Sequence, residues 1–205
     1  MMKVSYPIVA TSLVMALSWG MPAIAQTDPA SGQVSAGTYH VDPNHTQVVF
    51  SVLHLGFSHY TGLLSGIKGT MVLDPVEVKN TSLSIDVPLS SLLTTSSKLN
   101  DELKGKEWFD AEKFPTAHFS ATKIVKTGKD SASVEGALTL HGVTKPEILK
   151  VRFIGAGTSM MSKKYTAGFE AQTTIKRSDF GIKMFIPYVE DNVDLRIAGA
   201  FEKDN

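Results

Sequence analysis

Alternation of apolar and polar residues with a period of two constrains the fold of this chain more than any other feature. Five segments show it clearly, and the segments 66–73, 119–125 and 149–154 show it more weakly. A period of two places alternate side chains on opposite faces of a β-strand. Glycine, asparagine and proline separate the segments, which predicts about eight strands in an antiparallel sandwich or barrel. The clear alternating sets are Val48, Phe50, Val52 and His54; Leu83, Ile85, Val87 and Leu89; Val134, Gly136, Leu138 and Leu140; Phe169, Ala171, Thr173 and Ile175; and Val193, Leu195, Ile197 and Phe201.

One segment between two predicted strands has the helical period instead. Ser96 is a good N-cap residue, Leu99 and Leu103 lie four positions apart, and Gly105 suits a helix C-terminus. A short turn at 106–113 follows. We expect a helical lid on the rim of the strands, and its packing residues are Leu103, Trp108 and Phe109.

The first 25 residues have the pattern of a secretion signal. Lys3 precedes a mostly apolar stretch at 8–19, and Ala23 and Ala25 supply the small residues that a signal peptidase requires. The apolar stretch is shorter than the ~20 residues that cross a bilayer as a helix. The sequence therefore predicts a signal peptide over 1–25 with cleavage after Ala25, and no integral membrane segment in the mature chain.

The rest of the chain divides into a polar linker over 26–37 and one domain over 38–205. Lys and Arg total 20 and Asp and Glu total 20, so the basic patch that nucleic-acid binding needs is not indicated. The chain has no cysteine, which excludes disulfides, thiolate zinc sites and cysteine nucleophiles.

The chemistry-bearing residues do not form a familiar catalytic motif. His40, His45, His54 and His59 lie within twenty positions, yet none has the spacing that puts two metal ligands on one element. A hydrolase would pair His54 or His141 with an acid such as Asp179 or Asp191, but the Gly-x-Ser-x-Gly nucleophile elbow is absent from the sequence. Asp110 and Glu112, candidates for glycosidase chemistry, fall in the charged lid region. We expect no catalytic residue, no metal and no cofactor.

Arg177 stands out because it shares the apolar parity of Phe169 and Ile175. An arginine on an inward face needs partners, since its desolvation is costly. Two alternatives follow: a salt bridge to Asp179, Glu190 or Asp191, or a guanidinium at a cavity mouth that binds a phosphate or carboxylate. Small inward residues such as Gly136, Ala171 and Thr173 favour a cavity over a filled core.

Three ordered motifs together resemble the YceI family of periplasmic, lipocalin-like proteins. They are 39–56 followed by Gly62, 103–119 around the core 108–115, and 136–146 with its His141-Gly142 turn; 177–181 and 193–201 also match. The resemblance covers nearly all of 38–203. Trp108 and the pair Leu64-Ser65 depart from the usual family pattern and are expected to reshape the pocket entrance.

This resemblance implies an all-β fold, an eight-stranded antiparallel lipocalin-like barrel with a short helical lid. It also implies a periplasmic carrier that holds an isoprenoid lipid (a polyprenol, polyprenyl phosphate or quinone) in an apolar tunnel. The residues predicted to line the tunnel are Phe50, Val52, Leu83, Ile85, Leu138, Leu140, Phe169 and Leu195, and those predicted to meet a polar head group are His54, His141 and Arg177.

Two other functions stay open from the sequence. One is a hydrolase that uses His54 or His141 as a base. The other is a stress-protective accessory module of a membrane quinone or cytochrome system. A homodimer formed through an exposed strand edge or the apolar lid residues is a further alternative.

Overall fold

The structure is a computed structural model that describes residues 34–204. The predicted signal peptide at 1–25 and most of the predicted linker lie outside the described residues. Gly37, assigned to the linker from sequence, begins the first strand. No helix in the described part of the chain combines the length and the apolar character needed to cross a membrane.

Residues 34–204 form ten antiparallel strands and one α-helix. The elements are β1 (Gly37–Val41), β2 (Gln47–His54), β3 (Ser58–Leu64), β4 (Lys68–Leu73), β5 (Ser82–Pro88), α1 (Ser97–Lys104), β6 (Thr116–Lys126), β7 (Ser131–Leu140), β8 (Val143–Thr158), β9 (Tyr165–Lys176) and β10 (Asn192–Lys203). Short 3-10 helices span Val78–Asn80, Leu89–Ser91 and Arg177–Phe180.

The strands close into a barrel with eight positions around the ring. The pairing runs β1-β4-β5-β6-β7-β8-β9-β10, and β10 pairs back to β1. β1 and β2 together fill one position in the ring, because both pair with β10: β1 at Phe201 and β2 at Ile197. β3 and β4 together fill the next position, because β3 pairs with β2 and β4 pairs with β1. The predicted eight-stranded antiparallel barrel is confirmed, with two of its eight strands interrupted.

Thr46 takes the place of a strand partner for β10 in the gap between β1 and β2. Its hydroxyl donates to the carbonyl of Ala200 at 3.2 Å and accepts from the amide of Ala200 at 3.0 Å. The amide of Asp42 also donates to the carbonyl of Ala200 at 2.8 Å. A side chain thus replaces the missing strand neighbour, which explains why a threonine is buried here.

The helix forms where the capping residues predicted it. The Ser96 hydroxyl accepts a hydrogen bond from the amide of Leu99 at 3.3 Å, and Gly105 follows the last helical residue. Leu103 and Trp108 are buried against the barrel. The helix and the turn after it therefore cover one end of the barrel, where the sequence predicts a helical lid.

A two-residue hairpin joins β7 to β8 at that same end. His141 and Gly142 both have positive φ, 52° and 75°, as the common type I′ hairpin turn requires. Pro146 lies inside β8, although proline is rare in the interior of a sheet. It is tolerated because β8 pairs with β9 only from Lys150 onward, so the missing amide leaves no broken bond on that side.

The opposite end of the barrel is filled by side chains. Tyr39 and Ala167 are fully buried there, and the rings of Phe169 and Phe201 meet edge to face at 5.8 Å. Burial, with the neighbouring Tyr165, raises the pKa of Tyr39 to about 12. The space inside the barrel is thus closed at this end.

Candidate functional site

The barrel encloses an apolar cavity of about 660 Å³. This volume lies within the range of roughly 300–1,000 Å³ that is typical of small-molecule sites. Side chains from all strands between β2 and β10 line it, together with Leu99 and Leu103 of α1. Inward positions share one parity along each of these strands except β6, where a bulge between Ala121 and Lys123 shifts the inward set from Phe119 to Ile124. The wall is a surface of mostly aliphatic and aromatic groups.

All eight side chains predicted to line a tunnel border this cavity. They are Phe50, Val52, Leu83, Ile85, Leu138, Leu140, Phe169 and Leu195. Alternating parity was sufficient to place them, because the strands have no bulge that reverses their inward faces at these positions. Their contact with a ligand stays a prediction.

The small inward residues play two different parts. Ala171 and Thr173 line the cavity and leave its space open. Gly136 does not, because a Cβ atom there would lie 2.3 Å from Cζ of Phe119, whose ring occupies the space. Gly62 makes room for the ring of Phe50 in the same way, because a Cβ atom at position 62 would lie 2.1 Å from Cζ of Phe50. The interpretation of Gly136 as free volume was therefore wrong.

Arg177 lies at the lid end of the cavity and is only 5% exposed. Its Nε, Nη1 and Nη2 atoms donate to the carbonyls of Glu190, Ile182 and Val189 at 2.9, 3.0 and 2.7 Å. Its guanidinium lies 5.4 Å from the ring of Trp108. Backbone carbonyls take the place of the carboxylate that one of the two alternatives gave Arg177, so Arg177 ties the 182–190 segment to the barrel.

Burial lowers the pKa of Arg177, and the charge of Asp191 opposes this effect. Asp191 in turn accepts from the amide and the hydroxyl of Ser178 at 2.8 and 2.7 Å. Burial acts to raise the pKa of Asp191, but these hydrogen bonds and the charges of Arg177 and Lys176 outweigh it and lower the pKa.

We expect Asp191→Asn to reduce the stability of the barrel at neutral pH by about 1–2 kcal/mol. The carboxylate has a lower pKa folded than unfolded, so its stabilisation is complete above the unfolded value of about 4 and is lost as the pH falls through the folded value. The gap in unfolding free energy between the wild type and Asp191→Asn should therefore narrow as the pH falls below the unfolded value of about 4. Urea titrations over a pH series measure it, and a gap that stays constant from neutral to acid pH would contradict the assignment.

The two candidate histidines occupy different surroundings. His54 is exposed at the end of β2, where it lines the cavity mouth with its ring 6.4 Å from that of Tyr60. His141 does not line the cavity. Its Nδ1 bonds the carbonyl of Phe180 at 2.9 Å, and its ring packs edge to face on Phe114 at 4.9 Å. The structure thus joins the hairpin turn to the 3-10 helix through His141 and leaves His54 and Arg177 on the cavity.

His141→Ala should lower the unfolding free energy by about 1–2 kcal/mol, because it removes a hydrogen bond and an aromatic contact. His54→Ala should change it by less than about 0.5 kcal/mol, as expected of an exposed side chain. Thermal and urea unfolding of both variants compare them directly. Equal losses of stability would contradict these placements.

Glu147 is a cavity residue that the sequence analysis missed. It lies on β8 in the part that has no β9 neighbour, and it borders both the main cavity and a small outer recess. Burial, and then the charge of Asp179, raises the pKa of Glu147. Glu147 alternates with Leu149 and Val151 along β8, and this shared inward parity is the sequence signal that identifies it as a cavity residue. Glu102 of α1 also reaches the cavity.

The histidines near the N-terminus are dispersed over the barrel surface. His40 bonds Asp204 as an exposed pair, and the exposed His45 bonds the half-buried Asp42 as a separate pair. Within residues 34–204, no group of three or more histidine or acidic residues lies close enough to hold a metal ion. The geometry of the described residues therefore gives a lined apolar cavity with a sparse polar rim.

Comparison with known proteins agrees with this geometry. A protein designated UPF0312 from Pseudomonas fluorescens is 37% identical over 183 residues, which cover 86% of this chain and 92% of the relative. The crystal structure of Burkholderia cenocepacia BcnA has a TM-score of 0.71 at 23% identity, covering 78% of this chain and 98% of BcnA. A polyisoprenoid binding domain from Saccharophagus degradans has a TM-score of 0.59 at 14% identity, covering 83% of this chain and all of that domain. The YceI-like domain matches residues 39–201, and the chain therefore belongs to the YceI-like family.

Proposed function

We propose that this protein is a periplasmic carrier that binds an amphiphilic isoprenoid lipid inside its barrel. The observation that carries the proposal is the apolar cavity of about 660 Å³, enclosed by strands and closed at one end. Burial of an apolar chain contributes about 25 cal/mol per Å² removed from water, so a lined cavity of this kind can bind such a chain without further chemistry. The structural neighbour described as a polyisoprenoid binding domain supports this ligand class.

The periplasmic location rests on the N-terminal sequence. The segment 1–25 has a basic start, an apolar stretch and a small-x-small cleavage site. A carrier of water-insoluble lipids is useful in an aqueous compartment that lies beside a membrane. Fractionation of cells that express the full chain tests this part of the proposal.

The polar groups of the cavity favour an uncharged head group over a phosphate. Three nitrogen atoms of Arg177 already donate to backbone carbonyls. Within residues 34–204 no lysine lines the cavity, whereas Glu102 and Glu147 do. An anionic head near the partly buried Glu147 would meet a carboxylate without a free cation, which costs free energy in a poorly solvated site. We therefore propose a prenol or a quinone as the ligand.

A titration with a short-chain prenol and with its monophosphate tests both the function and the head group. Trp108 lines the cavity, so its fluorescence reports on occupancy. We expect the prenol to bind at least about tenfold more tightly than the phosphate, because the phosphate is repelled by the partly buried carboxylate of Glu147. Glu147→Gln should reduce the difference in affinity between the prenol and its monophosphate. Failure of both compounds to bind would contradict the carrier function, and equal binding would contradict only the head-group assignment.

The geometry does not favour the alternative hydrolase. His54 is at the cavity mouth, whereas His141 bonds Phe180 outside the cavity lining. Asp191, the proposed acid partner, is bonded by Ser178 instead. We therefore propose binding without catalysis.

A further inference from the structure

Two loops at the mouth of the cavity expose large apolar side chains to solvent. One loop connects β2 to β3 around Leu55 and Phe57, and the other spans 183–189 before β10. Folding normally buries such side chains, so a contiguous exposed set marks a surface that contacts something apolar. The members of this mouth patch, with their exposed fractions, are Phe57 (88%), Tyr188 (69%), Phe185 (54%), Leu55 (46%) and Ile186 (36%).

Backbone hydrogen bonds join the two loops into one surface. The amide of Leu55 donates to the carbonyl of Tyr188 at 2.7 Å, and the amide of Glu190 donates to the carbonyl of Leu53 at 3.0 Å. His54 and Val189 form a bridge between the same segments. The relative placement of the patch residues is therefore fixed by main-chain contacts.

The mouth patch is continuous with the cavity wall. Phe185 is more than half exposed, yet it also lines the cavity, and its ring lies 6.2 Å from that of Trp108. Val189 and His54 line the cavity beside it. An apolar chain that leaves the cavity by this mouth therefore meets the patch before it meets water.

The backbone holds two of these side chains outward at a cost. Leu55 and Phe185 have φ values of 54° and 58°, a left-handed conformation that bulky residues rarely adopt. Such conformations concentrate at functional positions, where the surrounding structure maintains them. Glycine at either position would avoid the cost, but it would remove the apolar side chain.

The charge of the two loops suits a lipid surface. The segments 54–60 and 182–189 contain Lys183 and no carboxylate, and Glu190 and Asp191 follow directly before β10. Aromatic and aliphatic side chains with a nearby basic residue are typical of surfaces that enter the interface of an anionic bilayer.

We propose that the mouth patch docks on a lipid bilayer, with Phe57 and Tyr188 entering the interface and the cavity opening toward the membrane. An insoluble ligand then passes between bilayer and cavity without crossing water. This purpose rests on the proposed carrier function, whereas the docking itself needs no ligand.

Co-sedimentation with vesicles of equal amounts of phosphatidylcholine and phosphatidylglycerol, free of isoprenoid, tests the docking. The mature wild-type protein should sediment with the vesicles, and a Phe57→Ser, Tyr188→Ser double variant should bind at least about tenfold more weakly. The matched control is Met160→Ser, Met161→Ser, which changes two residues that are 85% and 90% exposed at the opposite end of the barrel. The control should bind within about twofold of the wild type.

Three results would overturn the proposal. One is a wild-type protein that stays in the supernatant, and another is equal loss of binding by the mouth variant and the control. The third is a dimer, seen by sedimentation velocity, that only the mouth variant disrupts, since a second copy would then cover the patch. Prenol titration without vesicles separates these results from failure of the carrier function, because serine at Phe57 and Tyr188 leaves the cavity wall intact.

Discussion

Replacing Ala171 with tryptophan should abolish isoprenoid binding while the barrel stays folded. Ala171 lines the cavity, so the indole enters space that no side chain of the described chain fills. Overpacking a filled core costs stability, but an existing cavity accepts the added volume with little strain. The ligand then loses the volume its chain requires, and its affinity should fall by a factor of about a hundred or more.

The adjacent position supplies the control for this prediction. Gln172 follows Ala171 on β9 but points outward and is exposed. Gln172→Trp adds the same ring outside the barrel and should leave prenol affinity within about twofold of the wild type. Affinity is measured by titration calorimetry, and folding by circular dichroism. Normal binding by a folded Ala171→Trp protein would contradict the assignment of this cavity as the ligand site.

Arg177→Met should destabilise the barrel by about 3–4 kcal/mol. The substitution keeps the apolar stem but removes the donors to the carbonyls of Glu190, Ile182 and Val189. Leaving buried acceptors unpaired costs about 1–3 kcal/mol each, with partial relief from water. The contact with Trp108 is lost as well. Arg177→Lys should recover little of this loss, since an ammonium group cannot reach three carbonyls in a fork.

Arg152→Met is the matched control, because it removes an arginine whose salt bridge to Glu170 is exposed at the surface. It should cost less than about 1 kcal/mol, as is usual for exposed ion pairs. Urea unfolding of the three variants against the wild type gives the comparison. If Arg177→Met lost no more stability than Arg152→Met, the structural role of Arg177 would be refuted.

The barrel and its lining were predictable because both depend on local periodicity. Alternation of side chains with a period of two residues determines which of them face inward, and Phe50, Leu138 and Leu195 border the cavity for that reason. The lid was predictable from the capping serine and the terminal glycine. None of this needed knowledge of distant contacts.

The remaining features depend on distant contacts that periodicity does not encode. Gly136 was assigned to open space, but the ring of Phe119 from the neighbouring strand fills it. Proline is disfavoured in a strand interior, but Pro146 lies where β8 has a neighbour on only one side. For Arg177 the sequence leaves open a salt bridge or a head-group contact, whereas in the structure backbone carbonyls of a following loop accept its hydrogen bonds. Glu147 shared the inward parity and was overlooked.

Mass spectrometry of the lipid extracted from protein purified from its cell envelope without detergent tests the central claim most directly. We predict a stoichiometric isoprenoid with a hydroxyl or quinone head group in the wild-type protein, and none in Ala171→Trp. A wild-type protein that carries no lipid and takes up no added prenol would contradict the carrier function, as would equal amounts of lipid in the wild type and Ala171→Trp.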